Sequence, residues 1–263
     1  MCRAILTKLS VLLILLWVII FTPCSFAAQG AGGNAQESFF YQGNIAYQEG
    51  KYDLAIKSYE LLASAGWEGG NLYYNLGNSY FKKGELGKAI LNYVRAKQFI
   101  PEDSDLKSNY AYALSILNLG PQSTGNNVQQ AVDRLFAGIT LNRLTILLSA
   151  IYILLIISFV LLLLFSGLRR FFRPFIFMFL VLFILAASAL DSKIIYFFKG
   201  AVVISKEAEV KFEPLPSATT YFKLSEGNKV EVIEKTKNWY KIKRFDGKFG
   251  WVNKEAVSLI VRN

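Results

Sequence analysis

The sequence predicts a multi-domain membrane protein: an α-helical solenoid, then a transmembrane helical hairpin, then a small all-β barrel. Three observations predict it. A set of residues between positions 43 and 93 recurs with a spacing of 34. Two uncharged apolar runs, Leu144 to Phe165 and Pro174 to Leu190, are separated by a short basic stretch. From about Gly200 onward, short segments alternate apolar and polar residues between turns rich in glycine and asparagine.

Composition narrows the chemistry. The chain has 263 residues, 53% of them hydrophobic, and a formal charge of +10 at pH 7. Its basic residues are scattered, flanking the apolar runs and dotting the tail, with no arginine-rich helix. That distribution suits membrane-side adhesion and solubility rather than nucleic-acid binding. There is no histidine, and the two cysteines are Cys2 and Cys24, both in the N-terminal segment. The commonest general base, the commonest metal ligand and a thiol nucleophile are therefore missing from the body of the chain. Glu37, Asp53, Glu102 and Asp105 sit at helix starts or exposed turns, as dipole partners do. No phosphate-cradling loop or paired-carboxylate pattern is present, so neither catalysis nor a cofactor or metal is expected.

Residues 1–27 have the layout of a secretory signal, with Arg3 and Lys8, an apolar run Leu9 to Phe21, and Ser25-Phe26-Ala27. Cleavage is expected after Ala27 or Ala28. Pro23 fits lipoprotein processing at Cys24 poorly, and an uncleaved anchor stays open. On any of these readings the segment that follows is exported.

Ala28 to Ala35 is a small-residue linker. Across residues 36–119, Gly43, Gly50, Ala55, Ile56 and Tyr59 recur as Gly77, Gly84, Ala89, Ile90 and Tyr93. Each unit reads as two amphipathic helices around a turn at Gly50-Lys51 or Gly84-Glu85. Alanines allow close crossing and tyrosines fill the gap between helices. Pro101 stops the second unit, and Asp103 or Ser104 can cap a further helix running to about Asn118. The segments YQGNIAYQEGKYDLAIKSYE and YNLGNSYFKKGELGKAILNY resemble the tetratricopeptide repeat family. That resemblance implies a concave groove for peptides or partner proteins, lined by the first helix of each unit. Carried onto this sequence, the groove residues are Phe40, Asn44, Tyr47 and Gln48, then Tyr74, Asn78, Phe81 and Lys82. Inter-repeat packing of the aromatics and ordinary solvation of the asparagines are the competing reading.

Residues 120–140 comprise a linker, Gly120 to Asn127, and an amphipathic stretch with Val128, Val132, Leu135, Phe136 and Ile139 on one stripe. The stripe suits either the membrane surface or the underside of the repeats. The first membrane helix is expected at 141–166, a basic turn at 167–173 and the second helix at 174–190. Burying one of Arg169, Arg170 or Arg173 mid-bilayer would cost about 2.5–3.5 kcal/mol, so the turn lies outside the hydrocarbon. With the N-terminal domain exported, the turn falls in the cytoplasm, as the positive-inside rule asks, and both folded domains face the periplasm.

In the tail, residues 200–263, the runs 229–233, 239–242 and 249–252 are broken by Glu226-Gly227-Asn228 and Asp246-Gly247. This predicts an antiparallel barrel. The segments AEVKFEPLPSA, LSEGNKVEVIE, NWYKIK and DGKFGWVNKEAV resemble the bacterial SH3-like domain. Phe212-Glu213 departs from the Arg-Ser-Gly usual in that family. The resemblance implies binding of peptides or peptidoglycan, with Trp239, Tyr240 and Trp251 as surface candidates. Core placement of Trp239 and Trp251 is nevertheless the favoured expectation.

The order of signal, repeats, membrane hairpin and SH3-like tail resembles the BatE-type members of the Bacteroides aerotolerance (Bat) group of inner-membrane proteins. That resemblance implies a scaffold working with other Bat proteins, some bearing von Willebrand A domains, and with a MoxR-type ATPase. An envelope sensor or anchor that holds peptidoglycan through the tail is the alternative.

Overall fold

The computed structural model describes residues 33–120, 127–165, 167 and 169–261. The expected signal, both cysteines and most of the two linkers lie outside these residues. The described chain forms two compact units. One is Thr145–Ala187; the other joins Gly33–Leu144 to Ser188–Asn263.

The larger unit begins with five helices, α1 Gly33–Gln48, α2 Tyr52–Ser64, α3 Gly70–Lys82, α4 Leu86–Phe99 and α5 Ser104–Ile116, each packed against the next. The turns between α1 and α2 and between α3 and α4 are copies of one another. Lys51 N donates to the Ala46 carbonyl at 2.8 Å and Glu85 N to the Tyr80 carbonyl at 3.0 Å. These closures need a left-handed residue, supplied by Gly50 (φ 73°) and Gly84 (φ 77°). Asp103 caps α5 by accepting from Leu106 N at 2.7 Å. The helix stops at Ile116, two residues short of the expected end, because Asn118 turns left-handed at φ 53°. Between the helices, Ala55, Tyr59, Ala89 and Tyr93 are essentially inaccessible.

Seven strands follow: β1 Gly200–Val203, β2 Glu207–Lys211, β3 Thr220–Ser225, β4 Lys229–Lys235, β5 Trp239–Lys243, β6 Phe249–Asn253 and β7 Val257–Leu259. They form one sheet ordered β3-β2-β6-β5-β4-β1-β7, with every pairing antiparallel. The hairpin turns at Gly227 (φ 80°) and Gly247 (φ 86°) fall where the sequence expects them. β2 alternates exposed and buried residues, as a strand with one wet face should. β1 is buried throughout.

That exception explains how the sheet is held. Ala201 and Val203 point into the sheet's own core with Val210, Ile242 and Val252. Val202 points the other way and joins the helical core, with Ile260 beside it. Full burial of each such aliphatic side chain contributes about 1.5–3 kcal/mol. Polar contacts reinforce the joint. Arg95, on α4 and only 7% exposed, donates from Nε to the Ile260 carbonyl at 2.7 Å and from Nη2 to the Leu259 carbonyl at 2.8 Å. At the other end of α4 the N-cap residue Glu85 makes no side-chain cap bond. Glu226, in the β3–β4 turn, supplies the missing acceptor: its Oε1 takes the Gly87 N–H at 2.6 Å, and its charge suits the positive helix end. Helices and sheet thus share one core, where the sequence suggests two separate modules.

The other unit holds most of two apolar helices, α7 Leu141–Leu164 and α8 Arg169–Lys199; α6 Asn127–Leu135, the start of α7 and the end of α8 belong to the larger unit. Both α7 and α8 are long and apolar enough to cross a membrane, and only 11% of the most apolar window of either is buried. A core helix of a soluble protein would be largely covered, so these helices are consistent with membrane association. Within this unit the Tyr152 and Phe183 rings lie 6.2 Å apart. α8 is longer than its apolar run. Arg169, Arg170 and Arg173 lie in its first turns rather than in an irregular turn, and the helix continues past Leu190 to Lys199, directly ahead of β1.

Candidate functional site

The groove residues inferred from the repeat all lie on α1 and α3, and a hydrogen-bond ladder of the same period runs through them. Asn44 Oδ1 accepts from the Tyr59 hydroxyl at 2.7 Å and from Asn75 Nδ2 at 3.0 Å. One period on, Asn78 Oδ1 accepts from the Tyr93 hydroxyl at 2.8 Å and from Asn109 Nδ2 at 3.1 Å. A carbonyl oxygen has two lone pairs, and here both are used. The asparagines are therefore neither simply solvated nor free to accept from a ligand. Burial pushes the Tyr59 phenol up to about 12, which keeps it a neutral donor. Asn75 and Asn109 were not among the sequence candidates, although their spacing of 34 was available as a signal.

The aromatic candidates pack along the same row in tilted or edge-on pairs. Phe40 meets Tyr59 with ring centroids 5.8 Å apart, Tyr47 meets Tyr52 at 5.5 Å, Tyr74 meets Tyr93 at 6.2 Å and Phe81 meets Tyr112 at 5.7 Å. Tyr74 also accepts from Asn109 Nδ2 at 2.9 Å. Gln48 and Lys82, at the C-terminal ends of α1 and α3, are exposed. The row thus divides into residues that hold the helices together and two polar tips that face solvent. Asn44→Ala and Asn78→Ala are each expected to cost about 1–3 kcal/mol by stripping the acceptor from a tyrosine and an asparagine. Thermal unfolding of the full chain in lipid checks this, with Lys82→Glu expected to leave the midpoint unchanged.

On the sheet, register decides the outward face. Tyr240 pairs with Val252 and Ile242 with Gly250, facing the core, so Trp239, Lys241 and Lys243 face away with Asn253, Trp251 and Phe249. Trp239 and Trp251 are half-buried side chains on the outer face, not barrel core as favoured from sequence. Strand alternation with Ile242 and Val252 forces this. Tyr240 packs against the core instead. Lys241 Nζ stands 5.7 Å from the Trp251 ring centre and Lys243 Nζ 5.8 Å from that of Phe249, cation–π pairs that leave this face both aromatic and basic.

Residues 207–258 match the family model of the bacterial SH3 domain. The match spans β2 through most of β7 and takes in all three surface candidates. A search of curated proteins found no match to the chain.

Next to these strands is a second aromatic group that the sequence reading missed. The Phe212 and Tyr221 rings are 4.5 Å apart, and the Arg244 guanidinium lies 4.7 Å from the Phe222 ring centre. Arg244 is oriented by a two-pronged pair with Asp246, which holds that carboxyl well below the usual carboxylate range. Phe212 stands at the departure from the family's Arg-Ser-Gly, and that was the available signal.

An open cleft of about 430 Å³ lies between the helices and β7, lined by Glu60, Lys88, Asn92 and Arg95 among others. Its charged groups serve the protein itself. Glu60 accepts from the Tyr80 hydroxyl at 2.5 Å, Lys88 pairs with Glu85 at 2.7 Å, and Arg95 holds the strand carbonyls. The cleft is part of the joint between helices and sheet.

Proposed function

We propose that this chain is a membrane-anchored, non-catalytic interaction protein in which a tetratricopeptide-type helical solenoid and a bacterial SH3 sheet act as one receptor. The observation that carries the reading is the joint core: a sheet with an aromatic, basic outer face is built into the bundle through Val202, Ile260 and Arg95. Bacterial SH3 domains suggest binding of proteins or peptidoglycan. Protein partners are favoured here because the helical row adds a second surface, with Gln48 and Lys82 at its solvent-facing tips. α7 and α8 are the anchor. The Arg169–Arg173 cluster is cytoplasmic and the receptor periplasmic, supported by the positive-inside rule and the signal-like start of the sequence. The order of segments supports membership of a Bat-type assembly, with von Willebrand A domain proteins as partners and a MoxR-type ATPase alongside. A second reading, an anchor or sensor for peptidoglycan, is favoured by Trp239 and Trp251 on the outer face, whose flat rings suit a glycan.

Crosslinking in native membranes followed by affinity purification tests this. The wild type is compared with Gln48→Ala/Lys82→Glu and with Trp239→Ala/Trp251→Ala, all as full chains. Capture of von Willebrand A domain membrane proteins, reduced about tenfold or more in the helix variant, is the expected result, equivalent to about 1.4 kcal/mol. Recovery of cell-wall material alone, lost only in the tryptophan variant, would replace the scaffold with the anchor.

A further inference from the structure

Two aliphatic side chains of α6 are left uncovered by the described residues. Leu135 is 74% and Val128 70% exposed, whereas Ile146 and Phe177, the most exposed large apolar residues of α7 and α8, stand at 69% each. With Ala131 they form a stripe at helical spacing. The neighbouring side of α6 is fixed in place. Val132 is buried, Ser188 Oγ donates to Gln129 Oε1 at 3.1 Å, and Gln129 Nε2 donates to Ser192 Oγ. Just after α6, Lys193 Nζ donates to the Ile139 carbonyl at 2.8 Å. Ser188, Ser192 and Lys193 straddle the end of the apolar run of α8 at Leu190, and the apolar helix α7 starts six residues beyond Leu135. The stripe is therefore held at the level where both long helices change from apolar to polar surroundings.

We propose that α6 is a lipid-binding element lying in the bilayer interface, with Val128, Ala131 and Leu135 against the acyl-chain boundary. Gln130 and Arg134 occupy its other faces and remain among headgroups and water. The occupant is lipid rather than a protein partner because the residues that hold α6, Ser188 and Ser192, flank the end of the apolar run of α8 at Leu190. The inference rests on the reading that α7 and α8 cross the membrane. It settles what the amphipathic pattern leaves open, whether this stretch lies on the membrane or beneath the helical repeats.

The test uses the full chain, with Cys2 and Cys24 replaced by serine, in vesicles of phosphatidylcholine and phosphatidylglycerol. Single nitroxides are placed at Val128→Cys, Leu135→Cys, Arg134→Cys, Lys237→Cys in the β4–β5 turn and Ile157→Cys within α7. Collision rates are measured with oxygen, which concentrates in lipid, and with a water-soluble nickel complex. The expected ratio of oxygen to nickel collisions at 128 and 135 is about threefold or more above that at 134 and 237. Ratios at 128 and 135 equal to that at 237, with 157 still lipid-facing, would overturn the proposal and leave the anchor intact. Low collision rates with both reagents at 128 and 135 would also overturn it, since protein would then cover the stripe. A water-like ratio at 157 would instead remove the membrane reading and this inference with it.

Discussion

Replacing Arg95 with alanine is expected to destabilise the larger unit by about 3–5 kcal/mol, from the loss of two charge-assisted hydrogen bonds and the stranding of two carbonyls. Those carbonyls belong to Leu259 and Ile260, at the end of the last strand. The guanidinium also lies over the Tyr73 ring at 5.7 Å, so packing is lost with the charge. Arg95→Lys is expected to recover less than half of the loss. An ammonium is a point donor and cannot reproduce the spacing of Nε and Nη2 that meets two successive carbonyls. Hydrogen exchange on the full chain in lipid provides the readout. Amides of 257–261 and of α4 should exchange faster in Arg95→Ala, while those of β2, β5 and β6 change little. Uniform acceleration across the sheet would mean that Arg95 supports the sheet itself rather than its joint to the helices.

Gly77→Ala is the second large effect. A Cβ at this position would lie 2.7 Å from Cδ1 and Cε1 of Tyr93 and 3.3 Å from the Ala89 carbonyl oxygen. Tyr93 is 1% exposed and tethered through its hydroxyl to Asn78, so its ring has no vacant direction in which to swing. Overpacking of this kind costs about 1–3 kcal/mol, and displacement of the Asn78 ladder adds to it. Gly43→Ala meets the same obstacle one period earlier, 2.5 Å from Tyr59 Cε1, and should behave alike. Gly84→Ala is the informative contrast. No atom lies within 4 Å, so its penalty is only the left-handed φ of 77°, about 1 kcal/mol. Thermal midpoints should therefore fall more for Gly77→Ala and Gly43→Ala than for Gly84→Ala.

These residues also show what could be read before the structure. Gly43, Gly77, Tyr59 and Tyr93 carry a local, repeated signal, and the turns at Gly50 and Gly84 follow from it. The strands were legible for the same reason: alternation and turn residues are properties of neighbours in sequence. The joint between helices and sheet was not. Arg95 bonds to backbone carbonyls 164 and 165 residues away, and a carbonyl has no sequence signature. The apolar run Ala201 to Ile204 shows that a strand can be buried on both faces, but not that helices cover the second one. The candidate row was legible in position and misread in part. Asn44 and Asn78 stand where the repeat puts them, yet their acceptors are filled by partners that only folding brings within reach. Trp239 and Trp251 were drawn toward the core by their size, whereas the pairing of Ile242 and Val252 on the inner face assigns them outward.

The central claim is that helices and sheet act as one receptor. An electron–electron distance measurement tests it most directly, with nitroxides at Lys57→Cys on α2 and Lys237→Cys in the β4–β5 turn, both exposed positions. The full chain, free of Cys2 and Cys24, would be measured in lipid nanodiscs. A single narrow distance distribution that broadens in Arg95→Ala is the predicted result. A broad distribution in the wild type, unchanged by Arg95→Ala, would mean two tethered modules and would contradict the account.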